Sequence, residues 1–205
     1  MADLSHEANL RREGFQRIAG IDEAGRGPLA GPVSVAAVVL PEGYKNSVLN
    51  DSKVLSEKIR QKIYNEIIED ERIDWASVIV EASEIDRINI LKATWLGMRL
   101  AFLKLDPSAE IALIDGKPIQ GFPADHRALV KGDSLSLSIA AASVIAKVER
   151  DQLMREYAEI YPEYGFERHK GYGTKAHLEA LKRYGPCPIH RRSFAPVAQE
   201  EFDLS

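Results

Sequence analysis

Residues 15–41 read FQRIAGIDEAGRGPLAGPVSVAAVVLP, and this stretch decides the fold class. Its first eight residues are apolar enough for a strand ending at Asp22. Gly31–Pro32 and Pro41 bracket VSVAAVVL, a nearly unbroken β-branched run that reads as a well-buried strand. The connection between them, EAGRGPLAG, is short and rich in Gly and Pro. The pattern therefore predicts an antiparallel pair closed by a glycine turn.

Working outward, LSEKIRQKIYNEIIED places Leu55, Ile59, Ile63 and Ile67 every four residues, an amphipathic helix with Ser56 as N-cap. WASVIVE (75–81) reads as a strand. Residues 83–105 carry one helical pattern, with SEID as a capping box and Asp106–Pro107 as its stop. EIALID (110–115) and ALVK (128–131) read as short strands, each followed by glycine. A long helix is expected from about Ser136 to Ile160, stopped by Pro162, and a short one over 176–184. Strands first and then alternation with helices give an α/β fold, and the opening hairpin favours a mixed sheet over a parallel one.

The chain has 205 residues, a size that buries roughly 70% of its unfolded surface without disulfide staples. Its one cysteine, Cys187, excludes a disulfide framework and a multi-cysteine zinc ribbon. The longest apolar runs, 33–40 and 135–146, fall short of the roughly 18 residues of a membrane span. The N-terminus lacks the apolar region of a secretory signal, so no membrane partner is expected and the chain is read as cytoplasmic. The net charge of −4 argues against a generic nucleic-acid binder. Its distribution argues otherwise: residues 165–192 hold seven Lys and Arg against two Glu, a local +5 against −9 elsewhere. That is one basic face for a polyanion or simply a solvated charged face.

Four carboxylates share one context. Asp22 and Glu23 close the first strand, Asp115 closes EIALID, and Asp133 follows ALVKG before the long helix. Ligands of open α/β sheets bind beyond the carboxyl ends of the strands, where such residues would be gathered. Crowded carboxylates repel, so they take up protons or hold a cation. An all-oxygen donor set suits Mg²⁺ or Mn²⁺ rather than Zn²⁺. Neighbours on a strand face opposite ways, so Asp22 and Glu23 can share a site only if the strand ends or bends there. Taken singly, each of the four is also an ordinary turn or cap residue.

The segments IAGIDEAGRGPLAGPVSVAAVVLP, NDSKVLS, LIDGKP, VKGDSLSLSIAAASVIAKVERDQLM and YPEYGFERHKGYGTKAHLEALKRYGPCPIHRRSF together resemble ribonuclease HII, in the family's order, from about Ile18 to Phe194. The resemblance implies a ribonuclease H-like fold, a mixed five-stranded sheet flanked by helices with a helical C-terminal part. It implies a single domain, with a catalytic core over about 15–160, a basic substrate-binding part over about 161–195 and flexible ends. It implies a metal-dependent endoribonuclease that hydrolyses the RNA strand of RNA–DNA hybrids and nicks duplex DNA 5′ to embedded ribonucleotides. The products carry 3′-hydroxyl and 5′-phosphate ends, and the role is ribonucleotide removal. The family's metal ligands fall on Asp22, Glu23, Asp115 and Asp133, its Gly-Arg-Gly motif on Gly25, Arg26 and Gly27, and its junction-sensing tyrosine on Tyr172. The related ribonuclease HIII usually carries an N-terminal substrate-binding domain, for which about fifteen residues leave no room.

That chemistry suits these residue types. Two divalent ions about 4 Å apart supply an attacking hydroxide and stabilise the leaving oxyanion. Glycine amides approach a 2′-hydroxyl closely, and the arginine fork meets a phosphate. Lys53 and Asn89 are weaker candidates for phosphate contact, their alternatives being a solvated lysine and a helix-terminus asparagine. Ser143, Lys147 and Asp151 share a helix face, where a structural ion pair is expected. Cys187 and His190 are read as a structural loop, and the remaining histidines as surface or substrate-side residues. The tail QEEFDLS is a candidate peptide for a weak clamp contact, and a monomer is expected. Two other classes compete: a carboxylate-pair enzyme such as a glycosidase, which needs no metal, and a non-catalytic RNA–DNA hybrid-binding protein, which needs no full set of carboxylates.

Overall fold

The computed structural model describes residues 2–49 and 55–199. Five strands form one mixed sheet in the order β3-β2-β1-β4-β5. Strands β1 (Ile18–Ala24) and β2 (Val33–Val39) are the expected antiparallel pair, and β2 pairs antiparallel with β3 (Asp74–Val80). On the other side β1 runs parallel to β4 (Ile111–Asp115), which runs parallel to β5 (Asp125–Leu129). The unbroken apolar run of β2 has its reason in burial on both faces. Val33, Val35, Ala37 and Val39 pack into one core with Met98 and Phe102. Ala36 and Val38 pack into the other with Ile63, Ile67 and Ala140.

The helices follow the expected stops with local differences. α2 (Glu57–Glu69) starts at Ser56, whose hydroxyl accepts from the Ile59 amide, and it buries Ile63 and Ile67. α5 (Leu137–Ile160) starts at Ser136 and packs across β1 and β2; α7 (Lys175–Tyr184) is capped by Thr174. The pattern over 83–105 is not one helix but two, α3 (Ala82–Ile88) and α4 (Ile90–Leu103). Asn89 takes a left-handed φ of 69° between them, which the continuous apolar period conceals. Ser83 lies inside α3, whose N-cap residue is Glu81 and which has no side-chain cap. The strand expected over 128–131 lies earlier, at β5: an edge strand of half-exposed residues carries no apolar run to mark it.

The N-terminal segment forms a helix that packs on the sheet and α5. α1 (Ser5–Arg12) buries Leu10 and Glu7. One Glu7 carboxylate oxygen accepts from the Ser136 hydroxyl at 2.6 Å and from the Ser138 amide at 3.1 Å. The short α6 (Phe166–His169) and the loops around α7 pack on the C-terminal half of α5 through Met154, Tyr164, Phe166 and Ile189. Among the described residues no helix is long and apolar enough to cross a membrane.

Candidate active site

The carboxyl ends of β1 and β4 open on a cavity of about 270 Å³. Asp22, Glu23, Gly25, Arg26, Gly27 and Asp115 line it, opposite Tyr172. The two strands are in register at Ile21 and Ile114, so Asp22 and Asp115 are the next residues on neighbouring parallel strands. β1 does not end at Asp22: it stays paired with β2 through Ala24. Asp22 and Glu23 nevertheless share the cavity, because β4 stops at Asp115 and leaves that side of β1 without a neighbour.

Asp22 is buried at 3% exposure. Burial, then the negative charges of Glu23 and Asp115, hold its carboxyl well above the usual carboxylate range. Hydrogen bonds from the Ser143 hydroxyl and from the Glu23 amide (2.7 Å) oppose that shift. Glu23 also pairs with Arg26 at 3.3 Å, and the Arg26 side chain is half exposed. Asp115 accepts from the Gly132 amide at 2.6 Å. A divalent cation fits this set: the donors are all oxygen, and concentrated negative charge raises the cost of keeping Asp22 ionised.

Asp133 is the fourth candidate carboxylate. It is buried on the turn Gly132–Ser134, next to the residue that holds Asp115, and does not line the cavity. Among the described residues no three His, Cys, Asp or Glu side chains form a ready-made metal cage. The place of Asp133 in the ligand set therefore rests on the resemblance rather than on this geometry. Asn89 caps α4, its side chain accepting from the Lys92 amide at 3.1 Å, which is the helix-terminus alternative. Lys53 lies outside the described residues, as does the tail from residue 200 onward.

Tyr172 is 47% exposed, and a Cβ placed on Gly27 would stand 3.7 Å from its ring. The expected ion pair forms at 2.6 Å between Lys147 and Asp151, yet Lys147 and Ser143 also line the cavity. Burial pulls the Lys147 ammonium down and Asp151 partly restores it. Cys187 and His190 are both buried, and the Cys187 amide donates to His190 Nδ1 at 3.0 Å. His177 is buried too, not surface or substrate-side, with its Nε2 3.0 Å from that of His190. Arg191, counted with the basic face, is fully buried, and burial followed by Arg150 works against its charge. Sequence reading missed Arg150 altogether; its only signal was an arginine on the buried face of α5.

Comparison with known proteins agrees with this arrangement. The family model described as ribonuclease HII matches residues 19–197. Ribonuclease HII of Endomicrobium trichonymphae is 53% identical over 195 residues, covering 95% of this chain and 92% of its own. That of Caldanaerobacter subterraneus subsp. tengcongensis is 52% identical over 189 residues, covering 92% and 78%. Among solved structures, ribonuclease H2 from Pyrococcus horikoshii OT3 superposes with a TM-score of 0.75 at 27% identity, over 92% of this chain and 98% of that one. The RNase HII of a PCNA:RNase HII complex from Archaeoglobus fulgidus gives 0.73 at 25% identity, over 87% and 95%. Bst-RNase HIII, solved in complex with Mn²⁺, shares the fold at 18% identity, with a TM-score of 0.71 over 93% and 71%. The mixed sheet is thus the ribonuclease H-like one, and a chain matched over nearly its whole length, with carboxylates gathered at the ends of β1 and β4, belongs to the ribonuclease HII family of hydrolases, endonucleases of ribonuclease H type 2.

Proposed function

We propose that this chain is a metal-dependent endoribonuclease that cuts the RNA strand of RNA–DNA hybrids and nicks duplex DNA on the 5′ side of an embedded ribonucleotide, leaving 3′-hydroxyl and 5′-phosphate ends. Its place is ribonucleotide removal in the cytoplasm. The observation that carries the reading is the burial of Asp22 among Glu23 and Asp115 in a cavity it shares with Arg26 and Tyr172. Asp22, Glu23 and Asp115, joined by Asp133 as the family resemblance implies, would hold Mn²⁺ or Mg²⁺. When bound, such ions supply a hydroxide near neutral pH and neutralise charge on the scissile phosphate.

The chain's own residues do the rest. Ser143 and the Glu23 amide hold Asp22 in place. The guanidinium of Arg26, anchored on Glu23 and half exposed, is free to meet a phosphate oxygen. The Gly25–Arg26–Gly27 turn offers backbone donors to the 2′-hydroxyl, the one local feature separating RNA from DNA. Tyr172, across from Gly27, gives a ring on which the neighbouring sugar or base can stack. The basic residues of α7 and its flanks form a surface for the phosphate backbone, with Lys175, Lys182, Arg183 and Arg192 exposed.

A labelled DNA duplex with one ribonucleotide, incubated with Mn²⁺ or Mg²⁺, tests this directly. The expected product is a nick 5′ to the ribonucleotide, lost in EDTA, absent from an all-DNA duplex and absent with Asp22→Asn. Tight binding of the duplex without cleavage under either metal would replace the reading with a hybrid-binding one.

A further inference from the structure

Two buried arginines surround the Gly-Arg-Gly turn, and Arg150 also lines the cavity. Arg191 is fully buried, and every hydrogen bond of its side chain goes to a backbone carbonyl: Gly25 (2.6 Å), Arg26 (2.9 Å), Gly31 (2.9 Å) and Pro32 (3.1 Å). Arg150, at 1% exposure, donates to Pro32 (2.9 Å), Ala30 (3.2 Å) and Lys170 (3.0 Å). Its side chain lies flat on Gly25, where an added Cβ would come within 2.8 Å of the guanidinium carbon and closer still to Nε. Gly25 has φ +95°, so both its conformation and this contact demand glycine.

The peptide unit is planar and trans, so the carbonyl of one residue and the N–H of the next point in opposite directions. Arg191 holds the carbonyls of Gly25 and Arg26 inward. The N–H groups of Arg26 and Gly27 must then point away from Arg191, toward the cavity that these residues line. Arg150 adds the second half: packed on Gly25 and bonded to Ala30 and Pro32, it also donates to the Lys170 carbonyl in the loop that carries Tyr172. The Leu29 amide reinforces that link at 2.8 Å to the Gly171 carbonyl. Only a planar fork with five donors can serve several fixed carbonyls at once; a lysine ammonium cannot span them.

We propose that Arg191 and Arg150 are positioning residues: Arg191 sets the direction of the two peptide N–H groups that read the 2′-hydroxyl, and Arg150 sets their distance from Tyr172. This rests on the function proposed above for the turn, and the test separates the two. Amide exchange in the wild-type protein comes first. The N–H groups of Arg26 and Gly27 should exchange at least about tenfold faster than those of Leu29 and Gly31, which are bonded to Gly171 and Ile189. Equal protection would overturn the proposal whatever the enzyme cleaves.

Arg191→Lys and Arg150→Lys are then assayed at temperatures where each is fully folded. Cleavage at a single ribonucleotide should fall about tenfold or more in kcat, with KM within about threefold. Amides over 25–32 should exchange faster in both variants. In a cycle with Tyr172→Ala, the Arg150→Lys loss of junction preference should be non-additive. An unchanged kcat, or a loss that disappears on cooling, would overturn the proposal by reducing both arginines to stability. A wild-type protein that cleaves nothing would end the functional reading while leaving the exchange result to judge the geometry.

Discussion

Gly20 lies where β1 meets α5, and replacing it with alanine tests how the site is held together. An added Cβ would sit 2.5 Å from the Ser138 carbonyl oxygen and closer still to the Ser138 carbonyl carbon and the Ile139 amide nitrogen. All three are backbone atoms, so no side chain can swing aside. Van der Waals contact needs roughly 3.5 Å, and strand and helix must part by about an ångström. Overpacking of this kind costs about 1–3 kcal/mol, and a backbone clash belongs at the upper end. With a Tm shift of about 2–4 °C per kcal/mol for a chain of this size, Gly20→Ala should lower Tm by about 6–12 °C. The same displacement separates Asp22, two residues along β1, from Ser143 on α5, whose hydroxyl bonds it. Cleavage should therefore fall more than unfolding explains, even at a temperature where the variant is fully folded. Thermal unfolding followed by circular dichroism, with the nicking assay on the same preparation, measures both. A Tm within about 2 °C of wild type would refute the claim that this close approach sets the β1–α5 spacing.

Asp22→Asn removes an ionisation that burial, Glu23 and Asp115 disfavour, so without added metal, at a pH where Asp22 is ionised, it should unfold at a higher temperature than wild type, by about 2–4 °C for each kcal/mol of repulsion relieved. Mn²⁺ should raise the Tm of wild type and leave this variant nearly unmoved; an equal shift in both would remove Asp22 from the ligand set. Tyr172→Ala should weaken the preference for the ribonucleotide–deoxyribonucleotide junction more than it weakens duplex binding, as read by competition between junction and uniform-hybrid substrates. His190, pushed down to about 4 by burial and by His177, stays neutral while the unfolded chain takes up a proton near its ordinary 6.5. The unfolded state then binds more protons across that window, so stability present above it is lost as pH falls: about 2 kcal/mol between about pH 7.5 and 5, seen by urea unfolding and largely absent in His190→Asn. Glu7→Ala strips the bonds to Ser136 and Ser138 at the start of α5 and should cost about 2–3 kcal/mol in the same experiment; a loss below about 0.5 kcal/mol would make α1 dispensable.

Much of the architecture was legible before any coordinates. The β-branched run of β2 and the Gly/Pro turn before it announced the antiparallel pair that centres the sheet. Ser56 and Ser136 announced two helix starts, because an N-cap hydroxyl bonds within its own segment. Three of the four candidate carboxylates could be placed together because strand ends are local features and parallel neighbours align them. The break at Asn89 could not be read, because a single left-handed residue leaves the apolar period on either side intact. The edge strand β5 was misplaced for the opposite reason, since half-exposed positions carry little period at all.

By itself, then, the sequence determined the α/β class, the carboxylate-bearing strand ends and the family, all of which depend on residue types and short-range spacing. Tertiary structure alone decided which charges face solvent. Arg191 and Arg192 are adjacent and chemically identical, yet one is fully buried on the carbonyls of a turn some 160 positions away and the other is exposed. It decided equally that His177 and His190 are interior and that Asp133 sits off the cavity wall. Burial and hydrogen-bond partners are set by whichever distant segments the fold brings alongside, and no local pattern encodes that.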